Sequence, residues 1–261
     1  MNSMRLVKMH GAHNDFVVVD AREAAVERGP ELARCLCDRR GGIGADGLLV
    51  VGSSRIAQVA MRVFNADGSE AEMCGNGIRC VARYLDEAGE GAALMVETEA
   101  GVIATRVVAR EPQYLVRVAM GVPRFESVAL ELAQARVVSL GNPHVVLLRA
   151  AGDDMDLVAT AIALQRSPAL PQGANVHLAV VENEHALRVR HWERGVGLTQ
   201  ACGTGAVACA ATAIALGRAR SPVDVHVPGG VLVVEWDGEG EAHLTGPAMR
   251  VFETAIDPWK L

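Results

Sequence analysis

The sequence predicts an α+β protein of two pseudo-symmetric, β-rich domains, each wrapped around a central helix, with the active site in the cleft between them. The main observation is a repeat, because the segments 74–77 (Cys-Gly-Asn-Gly) and 202–205 (Cys-Gly-Thr-Gly) lie 128 positions apart (202 minus 74). The same offset relates further pairs, namely Asn14 with Asn142, Gly47 with Asn175, and Phe64-Asn65 with Trp192-Glu193. A duplicated unit of this kind predicts two halves that face each other.

Short β-branched or alternating segments are the second observation, and such segments predict strands. In the first half they are 5–9, 16–20, 48–51, 58–64 and 102–108, and in the second half 136–140, 145–149, 176–181, 187–192, 223–227 and 231–236. Helices are predicted at 31–38, after Cys74 as far as Gly89, and after Cys202 as far as Gly217. The last of these is apolar on all sides, so it must be buried on every side.

The length of 261 residues, taken with the repeat, predicts two domains of about 125 residues, each large enough for its own core. The turn-forming segment 120–123 (Met-Gly-Val-Pro) marks the seam between them. We therefore expect the first half to span residues 1–118 and the second half 119–249.

Composition excludes several classes of partner. The net charge is −6, the 25 basic residues are spread along the chain, and aromatic residues make up 3%. Without a basic patch or stacking residues, no nucleic-acid partner is expected. The longest apolar run, 201–216, is shorter than a membrane span, and the first ten residues hold no signal-peptide run. A cytoplasmic protein with no membrane partner is expected, and its six cysteines should be thiols.

Lysine is scarce, which bears on cofactors. Only Lys8 and Lys260 are present, the first in a strand-like run and the second next to the last residue. Pyridoxal phosphate needs a lysine for its Schiff base, and neither position suits that role. No histidine or cysteine spacing matches a zinc site either. We expect no cofactor and no metal.

Cys74 and Cys202 are the candidate catalytic residues. A cysteine at a helix start is favoured as a thiolate, and the glycines that follow let backbone amides approach an anion. A single Cys-Gly would more often be a small buried hydrophobe at a turn, but the duplicated context favours catalysis. The remaining cysteines are interpreted as packing or structural residues, namely Cys35, Cys37, Cys80 and Cys209.

Polar residues at equivalent places in the two halves are candidate substrate contacts. Neutral amides can donate to a carboxylate and accept from an ammonium group, and arginine offers a fork to a carboxylate. The alternative is that the asparagines only form turns and that Glu193-Arg194 is a solvated surface pair. His144 is expected in a supporting role. The candidates are Asn14, Asn65, Asn142, Asn175, Glu193 and Arg194.

Together these motifs resemble those of the diaminopimelate epimerase family, whose members need no cofactor. The matching stretches are 9–16, 64–77, 141–144, 192–195 and 201–205, and they run through most of the chain. The resemblance implies that Cys74 and Cys202 act as base and acid on opposite faces of the substrate and exchange roles with reaction direction. It implies that the reacting carboxylate is held by Gly75, Asn76, Gly203 and Thr204. It also implies that the candidate polar contacts hold the amines and distal carboxylate, that segment 250–261 returns to the first half, and that the protein is a homodimer.

Two positions depart from the family pattern and bear on the distal end of the substrate. Gly47 stands where many members have glutamine, and Leu198 replaces a frequent glutamate. The function implied by the resemblance is conversion of LL-2,6-diaminopimelate to the meso form for lysine and peptidoglycan precursors. A racemase of another amino acid, such as histidine or lysine, keeps the same chemistry. A non-catalytic amino-acid-binding protein and a thiol-redox protein are alternatives of other classes, and a phenazine-biosynthesis isomerase is disfavoured because it uses carboxylates.

Overall fold

The computed structural model describes residues 3–130, 132, 135–152 and 155–257, and the chain divides into two compact units. Unit 1 comprises Met1–Val118 and Gly246–Leu261, and unit 2 comprises Ala119–Thr245. Lys260 and the end of the segment expected to return, 258–261, lie outside the described residues. In the described part of the chain, no helix is both long and apolar enough to cross a membrane.

The described residues of unit 1 form one mixed sheet of nine strands. They are β1 (Met4–Gly11), β2 (Asn14–Asp20), β3 (Gly47–Gly52), β4 (Val59–Asn65), β5 (Glu70–Ala71), β6 (Ala93–Thr98), β7 (Gly101–Ala109), β8 (Leu115–Ala119) and β18 (Met249–Ile256). The strands pair in the order β18-β1-β2-β3-β4-β6-β7-β8, and β5 forms a hairpin with β4. The β2–β3 and β4–β6 pairs are parallel and the others are antiparallel.

Unit 2 repeats this sheet strand for strand. Its strands are β9 (Arg124–Glu126), β10 (Ala135–Ser139), β11 (Pro143–Arg149), β12 (Asn175–Asn183), β13 (Ala186–Glu193), β14 (Gly197–Thr199), β15 (Val223–Val227), β16 (Gly230–Glu235) and β17 (His243–Pro247). They pair in the order β9-β10-β11-β12-β13-β15-β16-β17, with β14 on β13 and with β11–β12 and β13–β15 parallel. The predicted pseudo-symmetry of two β-rich halves is confirmed.

In the part of the chain that the structure describes, each unit has two helices in equivalent places. They are α1 (Gly29–Cys37) and α2 (Gly75–Glu87) in unit 1, and α3 (Leu157–Gln165) and α4 (Gly203–Ala215) in unit 2. Helix α2 contacts six strands of its own unit, and α4 does the same in unit 2. Ten of the thirteen residues in each helix are buried. The predicted central helix in each half is therefore confirmed. Each helix is enclosed because its apolar residues pack against the surrounding strands.

The other two helices cover the outer face of each sheet. Leu32 and Leu36 of α1 pack on Val17 and Leu48, and α3 packs on strands β11 and β12 in the same way. Helix α3 is not predicted from the sequence, because its run Leu157–Gln165 is apolar on all sides and has no helical period. Its N-cap is Asp156, whose side chain accepts the Ala159 N–H at 3.0 Å.

Candidate active site

Cys74 begins the central helix of unit 1. Its backbone is extended, as an N-cap requires, and its Sγ accepts the N–H of Gly77 at 3.4 Å. A Cβ on Gly77 would lie 2.8 Å from the side chain of Leu49, so only glycine allows the first turn to pack this closely. The sulfur therefore lies at the positive end of a buried helix, where an anion is favoured.

Arg79 lies in the same first turns and is fully buried. Its guanidinium donates to the carbonyl oxygens of Pro247 (3.1 Å) and Gly75 (2.8 Å) and to Oδ1 of Asn76 (2.9 Å). Burial lowers the pKa of Arg79 to about 10, and electrostatic interaction with Cys80 and Cys74 partly opposes this. A buried cation with only neutral acceptors is costly, so the environment of Cys74 favours a nearby anion.

Cys202 begins the central helix of unit 2 in the same extended conformation, but its surroundings differ. Its side chain is buried, and its Sγ lies 3.7 Å from Oγ1 of Thr204. Burial raises the pKa of the Cys202 thiol well above its usual value, and the charge and hydrogen bond of Glu193 raise it further. The N–H of Gly205 and the Thr204 hydroxyl act in the opposite direction but do not prevail. The expectation of a lowered thiol pKa at a helix start is wrong for Cys202.

The two helix starts therefore carry opposite charges. Asn65 occupies the position in unit 1 that Glu193 occupies in unit 2, and Val207 occupies the position equivalent to Arg79. One helix start has a buried cation and a neutral amide, and the other has an apolar residue and a carboxylate. Such an arrangement favours negative charge near the first cysteine and a protonated thiol at the second.

The amide candidates of unit 1 lie at strand ends. Asn14 opens β2 directly after the turn at Ala12-His13, and it is half-buried. Asn65 closes β4 opposite Gly47, is exposed, and donates from Nδ2 to Oγ of Ser69 at 2.9 Å. A Cβ on Gly47 would lie 2.8 Å from the carbonyl oxygen of Phe64, so the backbone of β4 occupies the space that a side chain would need.

Asn175 joins three segments of unit 2. Its Oδ1 accepts the backbone N–H of Arg194 at 3.0 Å, and its Nδ2 donates to the carbonyl oxygen of Pro143 at 3.4 Å. The exposed Arg194 donates from Nη1 to the carbonyl oxygen of Gln172 at 2.6 Å. Oδ1 of Asn142 lies 2.8 Å from Nε2 of the buried His144. The structure thus brings the segments that hold Asn142, Asn175 and Arg194 together at one end of the unit 2 sheet.

Comparison with known proteins identifies the family. The sequence profile described as diaminopimelate epimerase matches residues 6–126 and 136–251. This chain belongs to the diaminopimelate epimerase family. It is 42% identical over 275 residues to the diaminopimelate epimerase of Caldanaerobacter subterraneus subsp. tengcongensis, a match covering 97% of this chain and all of that one. It is also 42% identical over 265 residues to that of Sphingopyxis alaskensis, with 97% of each chain covered.

Solved structures share the fold at much lower identity. A structure of a predicted epimerase from Pseudomonas aeruginosa matches with a TM-score of 0.74 and 17% identity, covering 97% of this chain and 99% of that one. A phenazine biosynthesis protein of the PhzF family from Bacillus anthracis matches with a TM-score of 0.73 and 19% identity over 98% and 99% of the chains. These likenesses show the fold alone, and the epimerase family assignment, which makes the chain an isomerase, rests on the sequence matches.

Further residues complete the description of this epimerase. All six cysteines are free of disulfide bonds, and Cys80 and Cys209 are buried inside the central helices, where burial raises the pKa of Cys80 to about 12. Among the described residues, no group of three or more His, Cys, Asp or Glu is placed to hold a metal ion. Sequence reasoning missed Arg79, because its neighbours on the same helix face include the polar Asn76 and Arg83, so the pattern gives no signal of a buried charge.

Proposed function

We propose that this chain inverts one stereocentre of LL-2,6-diaminopimelate to give the meso form, without pyridoxal phosphate, as a cytoplasmic homodimer that supplies lysine and peptidoglycan synthesis. The observation that carries the proposal is the pair of cysteine N-caps, Cys74 and Cys202, at the start of the two central helices. Relatives named diaminopimelate epimerase, 42% identical over nearly the whole chain, support the substrate.

The proposed chemistry is a proton exchange on one α-carbon. In the LL-to-meso direction the thiolate of Cys74 removes the α-proton from one face, and the thiol of Cys202 delivers its proton to the opposite face. In the reverse direction the roles exchange. The buried cation of Arg79 supports an anionic Cys74, and the burial of Cys202 beside Glu193 supports a protonated acid. Proton transfer by positioned groups of this kind contributes about 10²–10⁴-fold in rate.

The reacting carboxylate is assigned to the two helix starts. Backbone N–H groups in the first turn of a helix have no intrahelical partner and attract anions. When the α-proton leaves, negative charge spreads onto this carboxylate, and each fixed donor stabilises it by about 3–4 kcal/mol in comparable oxyanion sites. The residues proposed to supply these donors are Gly75, Asn76, Gly203 and Thr204.

The rest of the substrate is assigned to the polar residues at strand ends. The exposed Arg194 offers its guanidinium to the distal carboxylate, and the acidic Glu193 attracts an ammonium group. The amide side chains complete the site as donors and acceptors for the zwitterionic ends. They are Asn14, Asn65, Asn142 and Asn175.

Deuterium incorporation tests the proposal. Purified protein is incubated in heavy water with LL- or meso-diaminopimelate, and α-deuterium and stereochemistry are followed by NMR and chiral chromatography. We expect deuterium at one inverted centre, and we expect Cys74→Ser and Cys202→Ser to lose at least about 10²-fold in rate. Cys35→Ser, in α1, is the matched control and should keep its activity. Full activity in either catalytic variant would contradict the two-base mechanism.

A racemase of another amino acid is the second candidate. It is favoured by Leu198, an apolar side chain that is 55% exposed in β14, next to the strand that ends at Glu193. Histidine and lysine lack the second carboxylate that Arg194 would bind. Deuterium incorporation into one of these amino acids, with none into diaminopimelate, would establish this alternative and exclude the first.

A further inference from the structure

Three buried histidines of unit 2 form a continuous hydrogen-bonded chain that ends at Asn142. Oδ1 of Asn142 lies 2.8 Å from Nε2 of His144, and Nδ1 of His144 lies 2.8 Å from Nε2 of His177. Nδ1 of His177 lies 2.9 Å from Nδ1 of His191. All three rings are at most 1% exposed. The chain therefore links the side-chain amide of a proposed substrate contact to the interior of the sheet.

Unit 1 shows that this place in the fold does not need histidine. The residues equivalent to the three histidines are Phe16, Leu49 and Val63, all buried and apolar. The register is the same, because Leu49 pairs with Val63 and His177 pairs with His191.

The packing against the central helix is also the same in both units. A Cβ on Gly77 would meet Leu49, and a Cβ on Gly205 would meet the ring of His177 at 2.5 Å. Apolar side chains thus support a central helix as well as histidines do. The presence of three polar histidine rings at these positions in unit 2 therefore needs another explanation.

The protonation state of the three histidine rings follows from their burial. Burial lowers the pKa of His144 and of His191 to about 3. Burial also lowers the pKa of His177, and the neighbouring histidines lower it further. All three rings are therefore neutral at physiological pH, and each has one N–H and one bare nitrogen.

Because the three rings are neutral, all the hydrogen bonds of this histidine chain must point in the same direction. Each nitrogen–nitrogen contact needs one N–H, so the choice at one ring fixes the choice at the next. In one of the two directions, Oδ1 of Asn142 accepts from Nε2–H of His144, His177 donates from Nε2 to His144, and His191 donates from Nδ1 to His177. The last atom, Nε2 of His191, is a bare acceptor without a partner among the described residues. The opposite direction would bury an unpaired N–H there, which is the rarer arrangement in proteins.

We propose that His177 and His191 are positioning residues that fix the amide of Asn142 with its oxygen towards His144 and its NH₂ group towards the substrate. The inference rests on the proposed function in that Asn142 contacts the substrate. With its oxygen occupied, Asn142 recognises an acceptor, such as a carboxylate oxygen, and discriminates against an ammonium group. A reversed chain would present the amide oxygen and invert that preference.

Nitrogen-15 NMR of histidine-labelled protein tests the direction of the chain without an activity assay. Two-bond couplings from the ring C–H protons distinguish an Nε2–H imidazole from an Nδ1–H imidazole. We expect the Nε2–H form for His144 and His177 and the Nδ1–H form for His191 at pH 7. An Nδ1–H form at His144, or a protonated ring in the chain, would overturn the inference. Failure of the proposed function leaves this spectrum unchanged, so the two failures are distinguishable.

Substitution of the far end of the chain tests its effect on the substrate. His191→Val copies the unit 1 residue Val63, whereas His191→Asn keeps an N–H donor near the position of Nδ1. We expect His191→Val to fold, to lose the single tautomer of His144, and to raise KM for diaminopimelate about tenfold with kcat little changed. His191→Asn should restore both the tautomer and KM.

The control variant is His226→Val, at an exposed position of β15, and it should leave both readouts unchanged. A folded His191→Val protein with the wild-type His144 tautomer and KM would overturn the inference. If His191→Val does not fold, the tautomers of the wild-type protein and the KM of His191→Asn test the inference instead. A single Nε2–H form at His144, together with a near-normal KM for His191→Asn, supports the inference. A mixture of tautomers at His144 overturns it.

Discussion

The thiol of Cys202 is buried beside Glu193, and burial, followed by the charge of the Glu193 carboxylate and the hydrogen bond that it accepts, raises the pKa of the thiol. At the equivalent position of unit 1 stands Asn65, which is neutral, and the helix that begins at Cys74 instead contains the buried cation of Arg79. The internal repeat therefore preserves the backbone at both cysteines but not the charges around them. In the proposed mechanism, this difference favours Cys74 as the base and Cys202 as the proton donor.

Replacing Glu193 tests this difference directly. In Glu193→Gln the negative charge is removed while the side-chain size is kept, so we expect the pKa of Cys202 to fall and its alkylation at pH 8 to become several-fold faster. The measurement is the rate of iodoacetamide labelling at Cys202 against pH, read by peptide mass spectrometry. Glu239→Gln, in an exposed loop of unit 2, is the control. Identical labelling profiles for Glu193→Gln and the wild type would show that burial alone sets the pKa.

Eleven of the eighteen strands in the described residues are predicted from sequence, because they alternate or form β-branched runs. The repeat offset also predicts that Asn142 and Asn175 stand at places equivalent to Asn14 and Gly47. The strands that were missed are β5, β6, β8, β9, β14, β17 and β18. Of these, β17 (His243–Pro247) contains glycine and proline, which usually break strands. It forms because its partner β16 supplies the pairing, which is a tertiary effect.

Site residues could be predicted where a local sequence motif marks them. They could not be predicted where their role depends on contacts between distant segments of the sequence. The two cysteines can be recognised in the sequence by the glycines that follow them. His144, His177 and His191 lie in three strand segments, and no spacing within the sequence indicates that their rings meet. The contact between Glu193 and Cys202 likewise requires that a strand end meet a helix start. Pairwise distances of this kind come only from the folded chain.

Removal of the Arg79 side-chain charge is expected to destabilise unit 1. In Arg79→Met the carbonyl oxygens of Gly75 and Pro247 lose a buried donor, and each unsatisfied group costs about 1–3 kcal/mol. We expect a lower free energy of unfolding in urea and a slower reaction of Cys74 with iodoacetamide, because the nearby cation is lost. Arg40→Met, at an exposed position, should change neither quantity. Equal stability of Arg79→Met and wild type would mean that desolvation of the charge cancels its hydrogen bonds.

The turn that precedes Asn14 is strained and can be relieved. Ala12 and His13 have φ values of 53° and 62°, although neither is glycine. Such a two-residue turn, which closes the hairpin between Gly11 and Asn14, favours glycine or asparagine. The left-handed conformation costs about 1–2 kcal/mol for an ordinary residue, and glycine loses about 0.5–1 kcal/mol through its greater freedom when unfolded.

His13→Gly is therefore expected to raise the free energy of unfolding by up to about 1.5 kcal/mol. Urea denaturation at pH 7 measures the change. His226→Gly, in the extended strand β15, is the matched control and should lower stability, since glycine has no advantage there. A stability loss in His13→Gly would indicate that the stacking of His13 on His10, with ring centroids 5.1 Å apart, outweighs the backbone strain.

The C-terminal end of α2 is anchored by a cluster whose stability should depend on pH at both extremes. Arg110 donates to both carboxylate oxygens of Asp86, at 2.7 and 2.8 Å, and the Tyr114 hydroxyl also donates to Asp86. The hydrogen bond from Arg110 lowers the pKa of Asp86. Burial, with the hydrogen bond to Asp86, raises the pKa of Tyr114 to about 12. The folded state therefore favours the charged carboxylate of Asp86 and the neutral hydroxyl of Tyr114.

The sign of each effect follows from these shifts. The stability contributed by Asp86 is complete above its unfolded pKa of about 3.9 and is lost as the pH falls further. The stability contributed by Tyr114 is complete below pH 10 and is lost between about pH 10 and 12. Urea unfolding of the wild type, Asp86→Asn and Tyr114→Phe from pH 2 to 12 measures both, with Asp237→Asn as the exposed control. We expect the difference between wild type and Asp86→Asn to shrink below pH 4, and that between wild type and Tyr114→Phe to change only above pH 10. Parallel stability curves for all variants would refute this assignment.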